Sequence, residues 1–92
     1  DLDPERRYLA WNAFFSEEEK QRLYRGDATG FPASADLMLP HFRRAAHRPF
    51  PDQAMYVDVK SYLPGDPLFL SDRMTMANSL EARVPFVDPR VM

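Results

Sequence analysis

The sequence predicts an all-α fold of about five short helices broken by prolines. Three observations carry that expectation. Apolar residues recur at helical spacing, residues suited to capping stand ahead of several periodic runs, and nine prolines in 92 residues punctuate the chain. That proline content is about twice the usual share, so each element must be short and end in a turn. Strand-like character is confined to Val84-Pro85-Phe86-Val87; no other segment alternates with period two or is enriched in β-branched residues.

Asp3-Pro4 opens the first helix, because aspartate can accept from free backbone N–H groups and proline is preset for the first helical position. Tyr8, Trp11 and Phe15 follow at helical spacing and are expected to form a core-facing aromatic face. Ser16 and Glu19 have the spacing of a capping box, and Glu17 to Glu19 suit the positive end of a helix dipole. The second helix is therefore expected from Glu17 to about Arg25, with Gly26 ending it. The run containing Thr29, Gly30, Pro32 and Ser34 reads as a loop. Asp36 is expected to cap a short third helix through Leu37, Met38 and Leu39, kinked or stopped by Pro40. In the fourth helix Met55, Val59 and Tyr62 share one face with Tyr56 and Leu63, while Asp58 and Lys60 point elsewhere, and Pro64-Gly65 is its expected stop. The last helix is expected from Leu68 or Ser71 to Ala82, with Pro85 forcing Val84 into an extended conformation.

Composition bounds the function classes. Twelve basic against fourteen acidic side chains give a formal charge of −2, without the basic excess of a general nucleic-acid binder. No apolar run approaches the length of a membrane span. The lack of cysteine excludes disulfides, thiolate catalysis and zinc–cysteine sites in this segment, and fits a reducing, cytoplasmic setting. A chain of this size buries only about 60–65 % of the surface its unfolded form exposes. Its start at Asp1 and its end three residues after Pro89 fit a piece of a longer polypeptide.

Few residues announce chemistry. The basic cluster of Arg43, Arg44, His47 and Arg48 reads as a solvated helix end, although arginine forks also suit phosphate. His41 and His47 are spaced wrongly for one metal on a helix. The carboxylates Asp58, Asp66 and Asp72 are scattered, and nothing in their spacing selects a magnesium site among them. No phosphate-cradling glycine loop is present, since Gly26, Gly30 and Gly65 are isolated. On a helix Asp72, Met76, Ser79 and Arg83 would fall on one polar-ended stripe. Glu81 and Arg83 are too close in sequence to face each other on that helix, so each is expected to find a partner elsewhere. In physical terms Asp72 suits a helix start and Arg83 its negative end.

The run Ser-Asp-Arg-Met-Thr-Met-Ala-Asn-Ser-Leu-Glu-Ala-Arg-Val-Pro-Phe-Val-Asp, residues 71 to 88, resembles a signature block of the glutamine-hydrolysing asparagine synthetase family, with the form D-R-M-S-M-A-x-S-L-E-A-R-V-P-F-L-D. Asp72, Arg73, Met74, Met76, Ala77, Ser79 to Phe86 and Asp88 carry the match. The stretch from Met55 to Pro64 resembles the family's Y-x-D-x-K-x-Y-L-P segment. Arg7 to Trp11 with Phe15 to Glu18 resembles its tyrosine-rich helix followed by an F-S-x-E-E-K start.

The resemblance implies a partial synthetase domain over residues 1–92, the helical part of an α/β ATP-pyrophosphatase-type domain. It implies ATP and magnesium as cofactors, aspartate and ammonia as further partners, and a glutaminase domain on the same parent chain, with no nucleic-acid or membrane partner. Aspartate would be activated as its β-aspartyl-adenylate, which ammonia attacks to give asparagine. Asp72, Arg73, Glu81 and Arg83 are the expected wall of the substrate and nucleotide site. No residue here is assigned a catalytic or metal-binding role, and the segment alone is expected to be inactive. Two departures stand out: Leu70 occupies a position where many relatives carry lysine or arginine, and Asn78 replaces a frequent histidine. They keep two alternatives open, a non-catalytic helical interaction module and a relative that forms an amide on another carboxylate.

Overall fold

A computed structural model describes residues 2–27 and 30–91. Its elements are α1 (Pro4–Asn12), α2 (Glu17–Leu23), α3 (Ser34–Arg44), α4 (Phe50–Lys60), a wide π-type turn (Pro64–Leu68), α5 (Phe69–Met76) and a 3-10 turn (Pro85–Val87). No strand occurs among the described residues, and the fold is all-α with proline-rich breaks, as the sequence indicates. The part of the expected loop falling on residues 28 and 29 lies outside the described residues. Two compact units are present, Asp1–Ser61 and Tyr62–Met92.

In the first unit, α1 begins as its sequence dictates: the Asp3 side chain accepts from the Arg6 backbone N–H at 2.8 Å, with Pro4 in the first turn. Helix α2 begins with a complete capping box. The Glu19 backbone N–H donates to Ser16 Oγ at 3.2 Å, and Ser16 N–H donates to the Glu19 carboxylate at 2.7 Å. These bonds hold the Glu19 carboxyl below its ordinary range. The helix ends at Leu23, with Tyr24 extended, rather than at Arg25.

Helix α3 departs from expectation at both ends. Its N-cap is Ala33, which has no capping side chain, and Asp36 lies inside the first turn. The missing cap is supplied by another helix: the Ser34 N–H donates to Glu17 Oε1 at 3.1 Å. Lys20 binds the same carboxylate oxygen at 2.8 Å and also reaches Ser34 Oγ. The Lys20 hydrogen bond and then the Ser34 N–H hold the Glu17 carboxyl below its ordinary range. The helix then continues through Pro40 for eleven residues. An interior proline costs about 3 kcal/mol, but α3 also buries Leu39 and Phe42, and each such side chain returns roughly 1.5–3 kcal/mol.

Phe42 is fully buried where three helices meet. Its ring stacks on Phe50 at 6.1 Å and meets the edge of Tyr8 at 6.0 Å, while Tyr8 and Phe50 are 6.2 Å apart. Leu39, Ala45, Ala54 and Val57 complete the buried apolar set among the described residues. The face of α4 that packs inward thus contains Ala54 and Val57. Met55 is exposed, so the expected Met55–Val59–Tyr62 face is not the buried one. The reason is steric: α3 and α1 meet α4 through a bulky phenylalanine and tyrosine, and a small residue at 54 lets the helices close.

The expected aromatic core face of α1 is also corrected. Trp11 is 87 % exposed and Phe15 is 51 % exposed, and only Tyr8 of the three turns into the aromatic cluster. Tyr8 also donates from its hydroxyl to Asp58 Oδ2 at 2.7 Å, so Asp58 points toward α1 rather than away from the packing. Burial, and then the Asp58 carboxylate, push the Tyr8 phenol up to about 12. Helix α4 ends at Lys60, capped by Ser61, before the expected Pro64-Gly65 stop.

Two outcomes follow from this junction. Phe42→Ala should cost about 3–5 kcal/mol and remove most of the helical circular dichroism of the first unit; a loss of less than 1 kcal/mol, on the order of a surface change, would contradict it. The raised Tyr8 value means its stabilising contribution is complete below the ordinary phenol range near 10 and is lost as pH rises toward about 12. Tyr8→Phe should therefore abolish an alkaline loss of helicity in that window, read by circular dichroism against pH.

Candidate functional site

The candidate site lies in the second unit, where the stretch with the most distinctive sequence is folded locally. Pro64 opens the wide turn that leads into α5, and no side chain caps the helix start. Asp72 lies in the first turn of α5 and Arg73 in its last turn. Thr75 Oγ1 donates to the Ser71 and Asp72 carbonyls at 2.8 and 3.1 Å, a back-bond that competes with the helical ladder near its end.

The helix stops at Met76, well before the expected Ala82. Leu80 N–H donates to the Thr75 carbonyl and Ser79 N–H to the Met76 carbonyl, both at 3.0 Å. Ser79 has φ 57°, in the left-handed region. This is the hydrogen-bond pattern of a Schellman stop, with serine where glycine usually stands. The glycine signal is absent from the sequence, so the stop was not legible there.

That stop dissolves the expected stripe. Asp72 and Met76 remain on α5, but Ser79 turns the chain and Arg83 lies beyond any helix. It also reverses the expectation for Glu81 and Arg83. In a non-helical segment residues two apart can lie on one side, and the Arg83 Nη2 to Glu81 Oε1 distance is 2.8 Å. They are partners of each other, exposed to solvent. Val84 adopts φ −116° and ψ 81°, extended as Pro85 requires, but Pro85–Val87 forms a 3-10 turn rather than a strand-like piece.

After the turn, Asp88 is clamped by Arg90. Its Oδ1 accepts from the Arg90 backbone N–H at 2.8 Å and from Nε at 2.9 Å, and its Oδ2 accepts from Nη2 at 2.6 Å. The guanidinium, and secondarily the backbone N–H, hold the Asp88 carboxyl below its ordinary range. Arg83, Val84, Pro85, Val87 and Asp88 line a groove of about 610 Å³. Arg73 is held differently: its guanidinium lies 5.1 Å from the centre of the Phe69 ring. Among the described residues no hydrogen bond or ion pair joins Asp72 or Arg73 to Glu81 or Arg83. Local bonds therefore organise three small constellations: Phe69 with Arg73, Glu81 with Arg83, and Asp88 with Arg90. Phe69 and Arg90 were missed by sequence reasoning. The i,i+4 spacing of Phe69 and Arg73 was the available signal for one of them.

The profile of the asparagine synthase family matches residues 2–92. The chain belongs to the asparagine synthase family. It is 34 % identical over 82 residues to glutamine-hydrolysing asparagine synthetase 1 of Bacillus subtilis (strain 168), covering 89 % of this chain and 13 % of that relative. It is also 41 % identical over 56 residues to a protein provisionally named a glutamine-hydrolysing asparagine synthetase in Mycobacterium tuberculosis (strain H37Rv), covering 61 % of this chain and 9 % of that relative. A Mycobacterium bovis protein with the same provisional name gives the same identity and coverage. No solved structure matches. This asparagine synthase segment thus spans about one-eighth or less of the length of these relatives.

Outside the signature segment, His41 packs its ring 6.5 Å from Tyr56, and its buried Nδ1 has no hydrogen-bond partner among the described residues. Arg43 and Arg44 are exposed, and Arg48 Nε donates to His47 Nε2 at 3.3 Å. No helix among the described residues is long and apolar enough to cross a membrane. The same residues contain no group of three or more histidine or carboxylate donors able to hold a metal ion.

The Asp88 clamp gives a direct test. Its lowered value means the clamp is complete above the ordinary aspartate range near 4 and is lost as pH falls through the depressed one. Arg90→Gln should raise the titration midpoint of the Asp88 carboxyl, followed by carbon NMR. An unchanged midpoint would assign the depression to the Arg90 backbone N–H instead.

Proposed function

We propose that this chain is the helical part of the synthetase domain of an ATP-dependent, glutamine-hydrolysing asparagine synthetase. The family match across residues 2–92 is the observation that carries this reading, and the relatives' names supply its activity. In the reaction, an aspartate carboxylate oxygen attacks the α-phosphorus of ATP and pyrophosphate leaves with the electrons of the broken P–O bond. Ammonia then attacks the acyl carbon, AMP leaves, and loss of a proton from nitrogen gives asparagine. Activation is needed because a free carboxylate is a poor acyl donor to a nitrogen nucleophile.

The part assigned to this segment is binding and orientation. Arg73 offers donors to departing phosphate oxygens, and the Glu81–Arg83 pair supplies a fixed charge pair on the adjoining segment. Asp72 contributes a carboxylate on the same helix as Arg73. Magnesium, when bound, would neutralise charge on the nucleotide phosphates. The described residues supply no three-donor group for it, so its protein ligands would come in part from elsewhere in the parent. The glutaminase domain and a cytoplasmic setting belong to the same proposal.

Leu70 supports a second reading. It is exposed and apolar where a cation would favour departing pyrophosphate, which suits a non-catalytic helical module or a relative acting on another carboxylate. Pyrophosphate release by the polypeptide carrying this segment, assayed with aspartate and with other carboxylates, separates the three. Release that depends on aspartate supports the synthetase; release with another acid moves the substrate; no release with any acid leaves the interaction module. In the active protein Arg83→Ala should lower kcat/KM by about tenfold or more, and Arg44→Ala by less than about twofold. Equal losses would erase the distinction between the signature pair and the surface cluster.

A further inference from the structure

We infer that Arg73 is the phosphate-binding cation of this segment and that Phe69 is its positioning residue. The inference rests on the synthetase reading for the source of the phosphate, but not for the two residues. The second unit has three arginines. Arg83 is neutralised by Glu81 and Arg90 by Asp88. Among the described residues Arg73 alone of the three has no carboxylate partner, and its guanidinium lies over the Phe69 ring at 5.1 Å.

A ring beneath a guanidinium acts on it in two ways. It attracts the cation electrostatically, and it restricts a long side chain that would otherwise sample many rotamers. Neither effect uses the N–H donors, which lie in the guanidinium plane and remain available at its edge. Arg73 is therefore an ordered cation whose hydrogen-bonding fork is uncommitted. The helix dipole accounts for a basic residue in the last turn of α5, but it does not account for the ring one turn earlier. A phosphate is the matching ligand because it offers several oxygens to the planar fork and carries more charge than one carboxylate. Neighbouring Leu70 contributes no cation, which leaves Arg73 as the basic residue of this helix, beside the Asp72 carboxylate.

The test is an NMR titration of the 92-residue chain with sodium pyrophosphate at constant ionic strength, following the Arg73 Nε–H resonance, with aspartate as the carboxylate arm. In the starting state the Arg73 δ-methylene protons should show an upfield ring-current shift; its absence would overturn the inference. Pyrophosphate should move the Nε–H signal more strongly than aspartate does. Arg73→Gln should abolish site-specific binding, and Phe69→Leu should weaken it by about two- to fivefold. Phe69→Tyr, which keeps the ring, should restore the wild-type affinity. Arg44→Gln should leave it unchanged. Should Phe69→Leu disrupt α5 by circular dichroism, Phe69→Tyr decides the matter, because weakened binding with the helix intact overturns the role of the ring. Equal binding of aspartate, or equal loss with Arg44→Gln, also overturns the inference. Ring-dependent pyrophosphate binding in a protein without synthetase activity would support this assignment while removing the synthetase reading. Activity with ring-independent binding would do the reverse.

Discussion

The packing of Phe42 is the interaction on which the first unit depends. Three aromatic rings from α1, α3 and α4 converge there, and only four other apolar residues are buried among those described. With so little burial, each contact carries a large share of the stability, since folded domains survive on a small difference between large opposing terms. The same junction explains why α3 tolerates Pro40. It also explains why Tyr8 reaches Asp58: the ring must enter the cluster, and its hydroxyl then needs a partner at the rim.

Around that junction, polar interactions connect elements that the backbone ladder leaves separate. Glu17 caps α3 from α2, with Lys20 as its counterion. The two helices are thereby tied by a carboxylate that local sequence assigns to the start of α2. Exposed ion pairs contribute little by themselves, but a charge-assisted bond to a free helix N–H fulfils a need that water would otherwise meet. The large apolar side chains left outside, including Trp11, Phe14 and Phe86, agree with a segment that fills about one-eighth of its Bacillus relative.

The second unit follows a different rule. Its conspicuous charges are organised by residues two to four positions away, as in Phe69–Arg73, Glu81–Arg83 and Asp88–Arg90. The Schellman stop at Ser79 makes this possible by releasing Leu80 to Val84 from helical geometry. A longer α5 would set Glu81 and Arg83 on different sides. The stop therefore determines which charges meet, although it contains no charged side chain.

Sequence alone determined the all-α class, the caps of α1 and α2, and the extended residue before Pro85, because each depends on backbone chemistry within a few positions. The motif from Asp72 to Asp88 likewise made the family legible, as a linear pattern of residue types requires no coordinates. Tertiary structure decided that Ala54 and Val57, rather than Met55, face the core; that Trp11 lies outside; and that Glu17 caps a helix beginning seventeen residues later. Helical periodicity identifies possible faces, but the bulk and position of the neighbouring helix select the one that is buried. At Ser79 the deciding factor was backbone conformation: a serine can occupy the left-handed region at a cost, and nothing in its identity announces that it will.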